Sequence, residues 1–175
     1  MLDRVFRHFL LPKVQFVAAR SEAARHRMRA TKVLAGHMAP TLRQAEVVWY
    51  APWAGDGPLS RSQVVVVTHS DYEGALVPLR VVGLPGESLE IVEGDLLIDG
   101  HRLPEPYLLE SQAQEVYSRS VPRVVVAAGT YWLMGDFRDM CKDSRVLGPF
   151  AVSTILGEVS KAHPLGGHRA ARNVR

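Results

Sequence analysis

Between Tyr131 and Phe150 the sequence reads YWLMGDFRDMCKDSRVLGPF. Three acids (Asp136, Asp139, Asp143) and three bases (Arg138, Lys142, Arg145) fall within ten residues, framed by apolar runs on both sides. Composition alone describes a charged surface loop. Opposite charges set this closely between buried runs predict instead a loop folded back over the core, in which each buried carboxylate or guanidinium has a partner. The same run carries Cys141, the one cysteine of the chain, so no internal disulfide is available. His69, His101, His163 and His168 show no metal-ligand spacing, and a single thiol weakens any zinc site further. No cofactor or metal is expected.

The order Met-Gly-Asp-x-Arg-Asp-x-x-x-Asp-Ser-Arg-x-x-Gly in this run resembles the last signature box of the type I signal peptidase family. Upstream, Arg80 to Leu108 (RVVGLPGESLEIVEGDLLIDGHRLPEPYL) is similar to the family's stretch that begins Arg-Val-Val-Gly-Leu-Pro-Gly. His37 to Leu42 (HMAPTL) resembles the nucleophile box Ser-Met-x-Pro-Thr-Leu. Three boxes in the family's order imply its fold: mainly β, with folded antiparallel sheets or a small barrel.

What the resemblance implies about chemistry is a serine nucleophile activated by a lysine base. A lysine takes the serine proton only when burial lowers its pKa, and a further hydroxyl and a backbone amide stabilise the oxyanion. In this chain the nucleophile position falls on His37, the base position on Leu79, the oxyanion hydroxyl position on Ala35, and the hydroxyl that supports the base on Cys141. All four have lost the expected group, and leucine accepts no proton at any pH. The framework persists around them at Met38, Pro40, Thr41, Arg80, Gly83, Pro85, Gly86, Gly135, Asp136, Arg138, Asp143, Ser144, Arg145 and Gly148. Milder departures are Ala45-Glu46 and Ser62-Gln63 where the family usually has Gly-Asp, which puts those turns in question, and Phe137 where it usually has asparagine.

This pattern predicts a protein kept for its shape: a signal-peptidase-like pseudoenzyme binding a peptide or a partner protein, with the groove near Met38 and the strand Leu76–Val82. Two alternatives remain open. One is a divergent peptidase using His37, whose ordinary pKa near 6.5 suits acid–base work, with or without Cys141, or completing its site with residues from another chain. The other is a cavity turned to non-hydrolytic chemistry on a small molecule. For His37 the plainer reading, a histidine filling a disused cleft, is favoured because no acidic or amide partner can be named for it.

The elements that must position these residues are short. β runs are expected at Lys32–Leu34, Glu46–Tyr50, Gln63–Thr68, Leu76–Leu84, Leu89–Val92, Asp95–Ile98, Pro122–Ala127, Thr130–Met134 and Thr154–Ser160. Asp99-Gly100 signals a type I′ hairpin, and Ala128-Gly129 a second hairpin. Pro40–Leu42 suits a helical turn. A β domain is thus expected over 32–161. Residues 1–31 are expected to form a basic amphipathic helical segment, with 17–30 (VAARSEAARHRMRA) rich in helix formers. A disordered basic tail is expected over 162–175.

The chain has 175 residues, enough for one domain with a real core, and a net charge of +3 that is unevenly spread. Residues 1–32 hold eight Lys or Arg against two acids. This supports peripheral membrane contact or docking on a protein equally, and nucleic acid only weakly, since charge is its sole support. The longest uncharged runs, Val124–Gly135 and Val146–Gly157, are twelve residues each, short of the ~20 a spanning helix needs. Arg4, Arg7, Lys13 and Arg20 interrupt any signal-peptide core. A cytoplasmic or membrane-peripheral location is expected.

Overall fold

A computed structural model describes residues 28–53, 55, 57–108 and 120–160. The eleven strands among them are β1 (Arg29–Lys32), β2 (Val47–Pro52), β3 (Val64–Val67), β4 (Val77–Gly83), β5 (Ser88–Val92), β6 (Asp95–Ile98), β7 (His101–Arg102), β8 (Ser120–Val125), β9 (Thr130–Met134), β10 (Phe150–Ala151) and β11 (Ile155–Ser160). Every pairing between them is antiparallel. They form a seven-stranded sheet in the order β1-β2-β11-β3-β4-β9-β10 and a four-stranded sheet in the order β7-β6-β5-β8. The last strand lies between β2 and β3, so the end of the domain closes the gap left by its beginning.

β3 explains why the fold is built in layers. Its four valines are all buried, a run without alternation that belongs to a strand covered on both faces. Val65 and Val67 point into one cluster with Leu59, Leu79, Val81, Tyr131, Leu133, Phe150 and Ile155. Val64 and Val66 point the other way, toward Val33, Met38, Leu42, Val48, Tyr50 and Val159. A third cluster joins the smaller sheet (Leu89, Ile91, Leu96, Ile98) to Val82, Trp132 and Met134. β4 and β9 therefore serve two clusters each.

The expected tight pair β5–β6 is present, in register from Leu89↔Ile98 to Val92↔Asp95. The Asp99-Gly100 turn has positive φ at both residues, 51° and 79°, as a type I′ turn requires. Two expectations are corrected. Ala128-Gly129 does not close a hairpin: β8 pairs with β5 while β9 pairs with β4 and β10. The turn carries the chain from one sheet to the other, because Val121 and Val124 pack against the smaller sheet's cluster while Tyr131 and Leu133 fill the larger one's. The helical segment expected to run through residue 30 gives way to β1, which starts at Arg29 and pairs with β2 from Arg29↔Tyr50 to Lys32↔Val47. Sheet pairing overrides the local helix propensity there. The rest of that segment, over 1–27, and the basic tail at 162–175 lie outside the described residues. Among the described residues no helix is long and apolar enough to cross a membrane.

Candidate functional site

The charged run after β9 is a folded-back loop whose ions find partners mostly far along the chain. Asp136 takes Arg80 bidentately, Nε to Oδ1 at 2.7 Å and Nη2 to Oδ2 at 2.5 Å, with both side chains at 0% exposure. Thr41 donates its hydroxyl to the same carboxylate, and Arg80 donates to Thr41 Oγ1 at 2.9 Å and to the Ser62 carbonyl at 2.8 Å. The Arg80 guanidinium also lies 4.0 Å over the Tyr107 ring. Arg138 pairs with Glu105, which accepts the Tyr107 hydroxyl as well, and donates Nε to the Gly135 carbonyl at 3.0 Å. Asp143 accepts from Arg145 Nε at 2.8 Å and from the Gly135 N–H at 3.0 Å, and caps the one-turn helix Ser144–Leu147. Lys142 reaches Asp71 at 2.5 Å.

This loop holds the turn of the HMAPTL box. The Phe137 N–H donates to the His37 carbonyl at 2.9 Å, and the Leu42 N–H to the Met38 carbonyl at 2.9 Å. Gly135 permits the approach: a Cβ there would stand 2.5 Å from Cys141 Sγ and 2.7 Å from the His37 carbonyl. Met38 is wholly buried behind the turn, while Pro40 is exposed on its outside. Turns are present at both positions where the resemblance led one to expect Gly-Asp. Ala45 and Ser62 adopt φ of 66° and 71°, the left-handed region that favours glycine, so both turns form there with a residue that carries a Cβ.

A cleft of about 200 Å³ lies over this assembly, lined by Leu34, Ala35 and His37 on one side, Ala75–Val77 with Tyr72 opposite, and Met140–Lys142 at one end. The structure brings three of the four chemical positions to it. Ala35 is exposed on its wall and contributes no hydroxyl. His37 is 6% exposed, and its Nε2 lies 3.1 Å from the Pro78 carbonyl. A carbonyl only accepts, so that nitrogen carries the proton. Burial outweighs the Pro78 bond and the fields of Asp136 and Asp143, and holds the ring's pKa below its ordinary value. Burial, reinforced by the Asp143 charge, pushes the Cys141 thiol far above its ordinary range. Cys141 is thus a neutral thiol and His37 a neutral donor, unlike the ion pair of an activated cysteine.

Leu79 is absent from the cleft's lining. It is fully buried in the cluster of Val65, Val67, Val81 and Leu133, with Cys141 packed against that cluster. The position where a base would stand is core. Residues that sequence reasoning left out of the site are Glu105 and Tyr107, which partner Arg138 and Arg80, and Pro78, whose carbonyl holds His37. A proline inside a strand run was the available signal for Pro78, because it marks an open edge.

The family model described as "Signal peptidase, peptidase S26" matches residues 14–163. The chain belongs to the signal peptidase family. Signal peptidase I U of Bacillus subtilis (strain 168) is 33% identical over 145 residues, covering 77% of this chain and 75% of that protein. Signal peptidase IB of Staphylococcus aureus (strain COL) is 30% identical over 141 residues, covering 70% and 71%. A crystal structure of a signal peptidase I from Enterococcus faecalis V583 matches with a TM-score of 0.51 and 25% identity, over 59% of this chain and 98% of that one. The signal peptidase fold is therefore in place, and in this chain buried ion pairs brace the loop after β9.

Proposed function

We propose that this signal peptidase family member has lost the Ser/Lys hydrolytic chemistry and holds an extended, apolar peptide or partner segment in the cleft where hydrolysis would occur. The observation that carries the reading is Leu79. At the base position it is a fully buried member of the apolar core, and its hydrocarbon side chain cannot take a proton from a nucleophile. Against His37 as a replacement stand its Nε2–H, committed to Pro78, and the lack, among the described residues, of a carboxylate hydrogen-bonded to the ring. An apolar occupant fits the exposed Leu34 and Met140, which add hydrophobic surface at the cleft.

The test pairs two readouts on the wild-type protein. A fluorogenic signal-peptide-like substrate should release no product above the protein-free rate, while an uncleaved fluorescent peptide of the same sequence should bind saturably. Turnover that disappears in His37→Ala would replace this reading with a histidine-dependent peptidase.

A further inference from the structure

The strand edge beside the cleft is already covered by one of the chain's own side chains: Pro78 on it is buried, with His37 Nε2 against its carbonyl. In β4 the Val81 N–H donates to the Gln63 carbonyl at 2.8 Å, and the Val81 carbonyl accepts from the Ser62 N–H at 2.8 Å. Val81 therefore turns its backbone groups toward β3, and so do Leu79 and Val77 by the alternation of a strand. Pro78 and Arg80 face the other way. From Arg80 onward that side is covered by β9, beginning at Arg80↔Met134. Pro78 is thus the first edge-facing residue beyond that cover, and Val77 beside it lines the cleft. As a proline it offers no N–H, and its carbonyl already accepts from His37 Nε2 at 3.1 Å. A strand laid along β4 meets, at Pro78, no donor and a taken acceptor.

We propose that His37 is a built-in stopper of this edge: its imidazole occupies the Pro78 carbonyl that an extended peptide would otherwise use, and a ligand must displace it to pair fully with β4. The proposal rests on the peptide-binding reading above and goes beyond it by naming a closed state and the contact that closes it. Backbone addition to a strand edge draws its affinity from main-chain hydrogen bonds. Freeing one acceptor is worth about two- to tenfold in affinity, the net value of one such bond.

The test is fluorescence anisotropy with a fluorescein-labelled, Ala- and Val-rich nonapeptide, titrated with wild type, His37→Ala and His37→Gln. His37→Ala should bind about two- to tenfold tighter than wild type. His37→Gln, whose amide N–H still reaches a carbonyl, should stay close to wild type. A peptide series N-methylated at one position at a time should then contain one member that cancels the gain in His37→Ala and leaves wild-type binding unchanged. His37→Val, which fills more of the space without a donor, stands in if His37→Ala does not melt cooperatively. Wild-type binding with no gain in either donor-free variant would overturn the stopper and leave the peptide-binding reading standing. Absence of binding by every form would overturn both.

Discussion

Replacing Asp136 by alanine tests whether the buried pair with Arg80 holds the loop on the sheet. In the wild type the carboxylate takes two guanidinium N–H groups and the Thr41 hydroxyl at complete burial. Removing it leaves Arg80 Nε without its acceptor and Nη2 with only Thr41 Oγ1, while Nη1 keeps the Ser62 carbonyl. An uncompensated buried charge costs about 3–5 kcal/mol. At a urea dependence of about 2 kcal/mol per molar this moves the unfolding midpoint down by about 2 M, and it lowers the melting temperature by about 10–20 °C. The double change Arg80→Met with Asp136→Leu removes both charges and refills the space, so most of that loss should return. The remaining deficit is the Thr41 hydroxyl left without either of these partners, together with the lost contacts of Arg80 with the Tyr107 ring and Ser62. Urea and thermal unfolding of the two variants decide the matter. A single variant that loses less than about 1 kcal/mol, or a double variant no better than the single, would refute the claim that this pair anchors the loop.

Ala45→Gly and Ser62→Gly should each stabilise the fold, by about 0.5–1 kcal/mol in urea unfolding, because both positions hold positive φ that costs a residue with a Cβ. Since burial holds the His37 pKa below 6.5 when folded, the unfolded chain binds the proton first as pH falls. The His37 contribution is complete above pH 6.5 and is lost as pH drops through the folded pKa. The stability difference between wild type and His37→Gln should therefore shift toward the variant from pH 7.5 to pH 5, as urea curves at the two values would show. Cys141 should react with a thiol-specific reagent at pH 8 far more slowly than a free thiol, because its thiolate is suppressed by burial. Rapid labelling of the folded protein would revive the cysteine as a reactive group.

The parts legible in the sequence were those fixed by local pattern. The Asp99-Gly100 turn follows from residues that tolerate positive φ, and β6 and β9 were bounded as found because turn residues flank their apolar runs. The presence of partners for the charged loop followed from the cost of burying ions, but their identity did not. Arg80 lies 56 residues from Asp136 and Glu105 lies 33 from Arg138, distances at which only the folded sheet brings them together. Ala128-Gly129 misled because a turn between two β runs says nothing about whether they share a sheet. Arg29 and Ala30 misled because pairing with Tyr50 and Trp49 outweighs helix propensity. Ala45 and Ser62 are the converse case. The glycine signal had gone, yet Val33 bonds to Glu46 and Ala45 back to Val33, so the surrounding ladder keeps the turn in its shape.

If the signal peptidase framework is intact and only its chemical groups are missing, putting those groups back should restore cleavage. The most direct measurement is cleavage of a fluorogenic signal-peptide-like substrate by wild type beside the Ala35→Ser, His37→Ser, Leu79→Lys variant. The lysine would enter a fully buried apolar site, where desolvation favours the neutral form that acts as a base. The wild type should be silent, and the variant should show turnover that rises as the lysine loses its proton with increasing pH. Turnover by wild type, abolished in His37→Ala, would contradict this reading.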